Sequence, residues 1–111
     1  MKLVKSPDPW LEKVVKEFDF DALDAKSIAQ EMINLMTAEG GIGLSANQVA
    51  LDAQILVMKP HLLENKEPFA MINPVIESVT INMENMPEGC LSFPGLILSV
   101  KRPRGIIVKY L

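Results

Sequence analysis

The stretch Gly41-Ile42-Gly43-Leu44-Ser45-Ala46-Asn47-Gln48 stands where the pattern of the chain changes from helical to extended. Upstream of it, Asp24 precedes a run in which apolar residues recur at helical spacing, and Gly40-Gly41 follows that run. The pattern predicts an amphipathic helix that begins at Asp24 and ends at the glycine pair, because glycine tolerates the left-handed conformation of helix ends. Its apolar residues are Ile28, Met32, Leu35 and Met36.

The segment after Asp8 carries an earlier helical pattern. Asp8-Pro9 has the form of an N-cap followed by proline in the first turn, which predicts a first, short amphipathic helix. Its apolar residues are Trp10, Leu11, Val14, Val15 and Phe18.

Downstream of Gln48, short apolar runs between turn residues predict strands. The predicted strands are Ile55–Met58, Phe69–Ile72, Val75–Met83, Leu96–Val100 and Gly105–Leu111. In the third, Val79, Ile81 and Met83 share a face, which predicts a half-buried strand. The order predicts an α+β fold of two N-terminal helices followed by short antiparallel strands.

Composition narrows the class of protein. The chain has 111 residues, enough for one domain, and its net charge of −3 with scattered basic residues argues against a nucleic-acid surface. No apolar run approaches the roughly 20 residues that span a bilayer, and no signal-peptide core follows Met1. A single cysteine suits a reducing compartment, so we expect a cytoplasmic protein. Because the chain stops at Leu111 inside a strand pattern, we expect residues 1–111 to be one domain that lacks a downstream segment.

The second informative stretch is Glu88-Gly89-Cys90-Leu91-Ser92, which contains the only cysteine of the chain. A thiolate is a good ligand for iron or zinc, although a lone cysteine is commonly a small core residue. In the first stretch, Gly41 and Gly43 allow a backbone to approach closely, and the Gln48 amide could donate to an oxyanion. A plain turn at Gly41–Gly43 remains an alternative. A dinucleotide-binding loop is disfavoured because the third glycine is missing, and a Walker loop is disfavoured because the Gly-Lys-Ser/Thr signature is missing.

In this order and at this separation, the two stretches resemble the first two of the three motifs of peptide deformylase. The resemblance covers Val4 to Leu111 and implies a metal-dependent hydrolase that removes the formyl group from the N-terminal methionine of new proteins. The third motif, His-Glu-x-x-His, is absent, and the only histidine is His61. Ser45 stands where the family usually has alanine, and we expect this change to be tolerated.

The resemblance assigns a role to individual residues. It implies that Cys90 is one ligand of a catalytic Fe²⁺, with Zn²⁺, Ni²⁺ or Co²⁺ as substitutes, and that metal binding by this chain alone is weak or absent. The Gln48 side chain and the Leu91 N–H would form the oxyanion hole. The substrate backbone would be held by Ile42, Gly43 and Gly89, and the methionine pocket would be bordered by Ile42, Met86 and Glu88.

The implied partners are a formyl-methionyl peptide or nascent chain, with the ribosome as a further candidate. We expect the 111 residues alone to be inactive and marginally stable, since one thiolate cannot hold a catalytic ion. The alternatives are a catalytically inactive deformylase-like module that binds peptide and a plain structural domain. A catalytic Cys90/His61 dyad is disfavoured because no third group to orient the histidine is evident, so we expect His61 to be a solvated loop residue. We expect Arg102 and Arg104 to be solvated charges on an exposed turn.

Overall fold

The structure is a computed structural model that describes residues 1–60, 67–103 and 106–111. It contains a 3-10 turn η1 (Pro9–Glu12), a helix α1 (Ala25–Ala38) and a second 3-10 turn η2 (Ala46–Val49). The strands are β1 (Gly43–Ser45), β2 (Ile55–Met58), β3 (Phe69–Ile72), β4 (Val75–Val79), β5 (Met83–Cys90), β6 (Phe93–Pro103) and β7 (Ile106–Lys109). All strand pairs are antiparallel, and the predicted α+β class is confirmed.

The core lies between α1 and the sheet β1-β2-β3. Asp24 caps α1 by accepting a hydrogen bond from the Ser27 N–H, and Gly40 follows the helix with a φ of +72°. Both ends match the sequence prediction. Met32 and Met36 are fully buried, and burial of each stabilises the fold by about 1.5–3 kcal/mol. The other buried apolar residues are Phe18, Leu44, Ala46, Val49, Ala53, Ile55 and Val57.

The N-terminal segment corrects the prediction of a first amphipathic helix. Asp8 caps a single 3-10 turn, and the chain is already extended at Lys13. The reason is tertiary: the Lys16 N–H donates to the Asp52 carboxylate at 3.0 Å, and the Phe18 N–H donates to the Asn73 side chain at 2.7 Å. These partners replace the carbonyl groups that a helix would have supplied.

The predicted strand Val75–Met83 is divided in the structure. β4 ends at Val79 and pairs with β7, whereas β5 begins at Met83 and pairs with β6. The predicted half-buried face is exposed, with Val79, Ile81 and Met83 at 52%, 94% and 45%. Apolar and polar residues do alternate along this segment, but Val79, Ile81 and Met83 do not belong to one paired strand. In the described part of the chain, no helix is long and apolar enough to cross a membrane.

Candidate active site

The first motif forms the end strand of the three-stranded sheet and the turn that follows it. β1 pairs with β2 on one side, with Gly43 opposite Met58, and the order β1-β2-β3 leaves β1 at the edge. Ser45 then opens η2 through a capping box with Gln48. The Gln48 Oε1 accepts from the Ser45 N–H at 3.0 Å and from its hydroxyl at 3.3 Å. One end of the Gln48 amide is therefore fixed by β1.

The second motif forms the tip of the β5–β6 hairpin. Cys90 is the last residue of β5, and Leu91 and Ser92 form the turn to Phe93. The register shifts between Gly89 and Cys90, which indicates a bulge that interrupts the ladder at the cysteine. Cys90 is exposed, whereas Ser92 is 1% exposed. The hairpin thus presents the thiol at the surface and buries the neighbouring hydroxyl.

The two motifs meet at the Gln48 side chain. Its Nε2 donates to the Cys90 Sγ at 3.5 Å and to the Ser92 Oγ at 3.2 Å. The thiol is a weak acceptor, so a stronger acceptor beside Cys90 could take over that proton. The amide and the sulfur named from the sequence are therefore neighbours in space.

Leu91 connects the hairpin tip to the start of the first motif. Its side chain packs against the core, and a Cβ built on Gly41 would lie 2.6 Å from Leu91 Cδ1. Real Cβ atoms essentially never approach other atoms this closely. Gly41 therefore permits the contact that sets Leu91 beside the first motif.

A cavity of about 690 Å³ lies between β1 and the hairpin tip. Residues of both motifs line it: Ile42, Gly43, Gln48, Gly89, Cys90 and Leu91. A smaller cavity of about 250 Å³ shares Gly89 and Cys90 with it and is also lined by Glu88. Met86 lines neither cavity and is 41% exposed, two positions before Glu88 on β5. Ile42, Met86 and Glu88 do not surround one cavity, and their shared role remains a prediction.

Glu88 is held by an ion pair across the hairpin. The Arg102 Nε and Nη2 donate to its two carboxylate oxygens at 3.0 and 2.9 Å. These hydrogen bonds lower the pKa of Glu88, and the carboxylate in turn raises the pKa of Arg102. Arg102 lies on strand β6, which corrects the expectation of a turn, and its side chain is paired with Glu88 while 57% of it is exposed to solvent. His61 and Arg104 lie outside the described residues.

Sequence reasoning assigned no role to Ser92 or to the N-terminal segment. The Ser92 hydroxyl donates to the Val4 carbonyl oxygen at 2.6 Å. The Val4 N–H donates to the backbone carbonyl oxygen of Gln48, also at 2.6 Å. The Ser6 N–H donates to the Ser92 carbonyl at 2.9 Å. The position of Ser92 within the second motif was the only feature of the sequence that could have drawn attention to it. The contact with Val4 had no local signal, because the two residues are far apart along the chain.

A metal ion at this site would find one donor of suitable chemistry. Cys90 offers an exposed sulfur, which suits iron and zinc. Across residues 1–60, 67–103 and 106–111, no three His, Cys, Asp or Glu side chains form a group that could hold a metal ion. The described residues thus offer one sulfur donor and do not form a metal site by themselves.

Comparison with known proteins places the chain in a family. A family model described as Polypeptide deformylase matches residues 1–111. The chain belongs to the polypeptide deformylase family. A peptide deformylase of Thermosynechococcus vestitus is 44% identical over 86 residues, and one of Borreliella burgdorferi is 33% identical over 112 residues.

The structural neighbours agree with this deformylase assignment. The deformylase of the Vibrio parahaemolyticus bacteriophage VP16T, crystallised in complex with actinonin, matches with a TM-score of 0.87 at 35% identity. The match covers 99% of this chain and 77% of the phage chain. The aligned part covers 77% of this chain and 46% of the Thermosynechococcus protein, and 99% of this chain and 66% of the Borreliella protein. The chain therefore spans about half the length of the first relative.

Proposed function

We propose that this chain contributes to a metal-dependent hydrolysis of the N-formyl group from the N-terminal formyl-methionine of new proteins. The observation that carries the proposal is the placement of the Gln48 amide nitrogen 3.5 Å from the Cys90 sulfur at the 690 Å³ cavity. A hydrogen-bond donor for a developing oxyanion and a ligand for a metal ion are thereby side by side. Membership of the deformylase family supports the same reaction.

The substrate backbone would lie along β1. This strand stands at the sheet edge, and an extended peptide can add to such an edge through main-chain hydrogen bonds. Gly43 is exposed there and has no side chain to obstruct the approach. Ile42 and Gly89 line the same cavity as Gly43. We assign these three residues to substrate binding, and Met86 and Glu88 to the border of the methionine pocket.

The oxyanion hole would comprise the Gln48 side chain and the Leu91 N–H. The Gln48 nitrogen faces the sulfur, because its oxygen is held by Ser45 on the other side. As negative charge develops on the substrate carbonyl oxygen, that oxygen becomes a strong acceptor and would take over this amide proton. Leu91 follows Cys90 directly and lines the same cavity, and we assign its N–H as the second donor.

Cys90 would be one protein ligand of the metal ion, which we propose is Fe²⁺, with Zn²⁺, Ni²⁺ or Co²⁺ as substitutes. The ion, when bound, supplies Lewis-acid polarisation of the substrate carbonyl and acidifies a water molecule. The remaining ligands would come from outside the described residues. Since the sequence has one cysteine and one histidine, we predict that residues 1–111 by themselves bind the ion weakly and do not turn over substrate.

The partners we propose are a formyl-methionyl peptide or a nascent chain at the ribosome, in the cytoplasm. A single cysteine in the sequence supports a reducing compartment. The reaction can be tested by measuring formate release from a formyl-methionyl peptide by the natural gene product. We expect release from the unmodified protein and none from Cys90→Ala. Full turnover by Cys90→Ala would contradict the assignment, and Ser99→Ala on the exposed part of β6 is the matched control.

A further inference from the structure

Ser92 is a buried polar residue whose hydroxyl joins three separate parts of the chain. It is 1% exposed, and its hydroxyl oxygen lies 2.6 Å from the Val4 carbonyl oxygen and 3.2 Å from the Gln48 Nε2. Buried hydroxyl groups are costly unless their hydrogen bonds are made, so both contacts matter to the fold. The proposed reaction assigns no role to this residue.

The direction of the protons in this cluster follows from the chemistry of the groups. A carbonyl oxygen can only accept, so the single proton of Ser92 is committed to Val4. Ser92 can then only accept from Gln48, which requires the NH₂ end of that amide to face it. If the amide were reversed, its oxygen would face a hydroxyl oxygen that has no proton left to donate.

The opposite end of the Gln48 amide is subject to the same restriction. The Ser45 backbone N–H can only donate, so it requires the Gln48 oxygen. The amide orientation is therefore set at both ends, by Ser45 at the oxygen and by Ser92 at the nitrogen. One Nε2 proton is held by Ser92, and the other is left for the Cys90 side of the cavity.

We propose that Ser92 is a positioning residue, which acts through the Val4 carbonyl to hold the Gln48 amide with a nitrogen proton directed toward Cys90. The value of this orientation for catalysis rests on the proposed function, in which that proton stabilises the oxyanion. The orientation itself needs neither metal nor substrate.

The N-terminal segment thereby becomes part of the site. The Val4 N–H donates to the backbone carbonyl oxygen of Gln48, and the Val4 carbonyl oxygen accepts from the Ser92 hydroxyl. Val4 therefore contacts both motifs. The Ser6 N–H adds a bond to the Ser92 carbonyl. Because these bonds fix Val4 relative to both motifs, the acceptor that directs the Ser92 proton is held in place.

Hydrogen exchange of the glutamine side-chain amides, measured by NMR on the metal-free natural gene product, tests this proposal. We expect the Gln48 amide protons to exchange at least about tenfold more slowly than those of Gln30, whose amide bonds to Asn34 on an exposed helix face. Nuclear Overhauser contacts should join the Gln48 amide protons to the β protons of Ser92 and Cys90. If the side-chain amide protons of Gln48 exchange as fast as those of Gln30 in the unmodified protein, the proposal is overturned.

Ser92→Ala supplies the second arm. We expect the Gln48 amide to lose its protection, whereas the Asn47 side-chain amide, held by the Trp10 and Lys13 carbonyl oxygens, keeps its exchange rate and reports that the fold is intact. Ser45→Ala is the matched control, since it removes a hydroxyl group but keeps the N–H that holds the Gln48 oxygen. Retained Gln48 protection in Ser92→Ala would overturn the proposal. A gene product that releases no formate would contradict the proposed function and leave this result unaffected.

Discussion

The Gln48 side-chain nitrogen lies within hydrogen-bond distance of the Cys90 sulfur, 3.5 Å away, although 42 positions separate the two residues along the chain. A capping box at the end of β1 fixes the first of them, and the tip of the β5–β6 hairpin presents the second. The site therefore depends on the relative position of the first motif and the hairpin tip, which also meet at Gln48–Ser92 and at Gly41–Leu91.

Loss of the Gln48 amide should lower turnover without removing the metal. For Gln48→Ala in the natural gene product, we expect a fall in kcat of about 10²–10³-fold, because one oxyanion donor is removed. Formate release and metal content measured on the same sample check this. Gln54→Ala is the control, since the Gln54 side-chain amide also donates a hydrogen bond, but to the Val15 carbonyl oxygen and away from the site. Unchanged turnover in Gln48→Ala would remove Gln48 from the mechanism.

Gly41→Ala should destabilise the chain through Leu91. The new Cβ would lie 2.6 Å from Leu91 Cδ1, the end of a flexible side chain that must shift to make room, so we expect a cost near the lower end of the about 1–3 kcal/mol typical of overpacking. Urea unfolding should show this loss, and the double variant Gly41→Ala/Leu91→Ala should show less than the sum of the two single losses. Gly43→Ala is the control, because its Cβ would meet only the Val57 carbonyl oxygen at 3.9 Å. Additive losses in the double variant would show that the two side chains do not conflict.

The Glu88–Arg102 pair should make hairpin stability depend on pH in the acid range. Arg102 holds the pKa of Glu88 below 4.5, its ordinary value, mainly through hydrogen bonds to the carboxylate. Because the pKa is lower in the folded state, the stabilisation is complete above about pH 4.5 and is lost as the pH falls through the folded pKa. Titration of the Glu88 carboxyl carbon by NMR should give a pKa that rises toward the ordinary value in Arg102→Gln.

Lys101→Gln provides the comparison for this titration, since Lys101 is the neighbouring exposed cation and lies opposite Asn85. It should leave the Glu88 pKa low. Equal Glu88 pKa values in the wild-type chain and Arg102→Gln would show that the ion pair does not set the protonation of this carboxylate.

Elements with local signals could be predicted from the sequence. α1 has a capping Asp24, an apolar stripe through Met32 and Met36, and a following glycine pair, all of which act within a few residues. The N-terminal segment could not be predicted, because its extended backbone is held by Asp52 and Asn73, which are distant in sequence. Apolar spacing alone therefore suggested a helix where tertiary hydrogen bonds impose another conformation.

The candidate site divides in the same way. Gln48 and Cys90 were singled out by the resemblance of the two motifs, taken together, to the deformylase family, because a lone cysteine by itself is commonly a small core residue. The contribution of Ser92 could not be predicted, because its proton goes to Val4, 88 positions away. Direction of hydrogen bonds in a buried cluster is a property of the folded chain, and the sequence carries no periodic signal for it.

Binding of Co²⁺ to the natural gene product tests the central claim most directly, which is that the Cys90 sulfur is a metal ligand. A cobalt–thiolate bond gives an intense ultraviolet charge-transfer absorption that oxygen and nitrogen ligands do not produce. We predict this absorption at one equivalent of Co²⁺ for the unmodified protein and for Ser99→Ala, and its loss in Cys90→Ala. A bound Co²⁺ without the absorption in the unmodified protein, or an undiminished absorption in Cys90→Ala, would contradict the account.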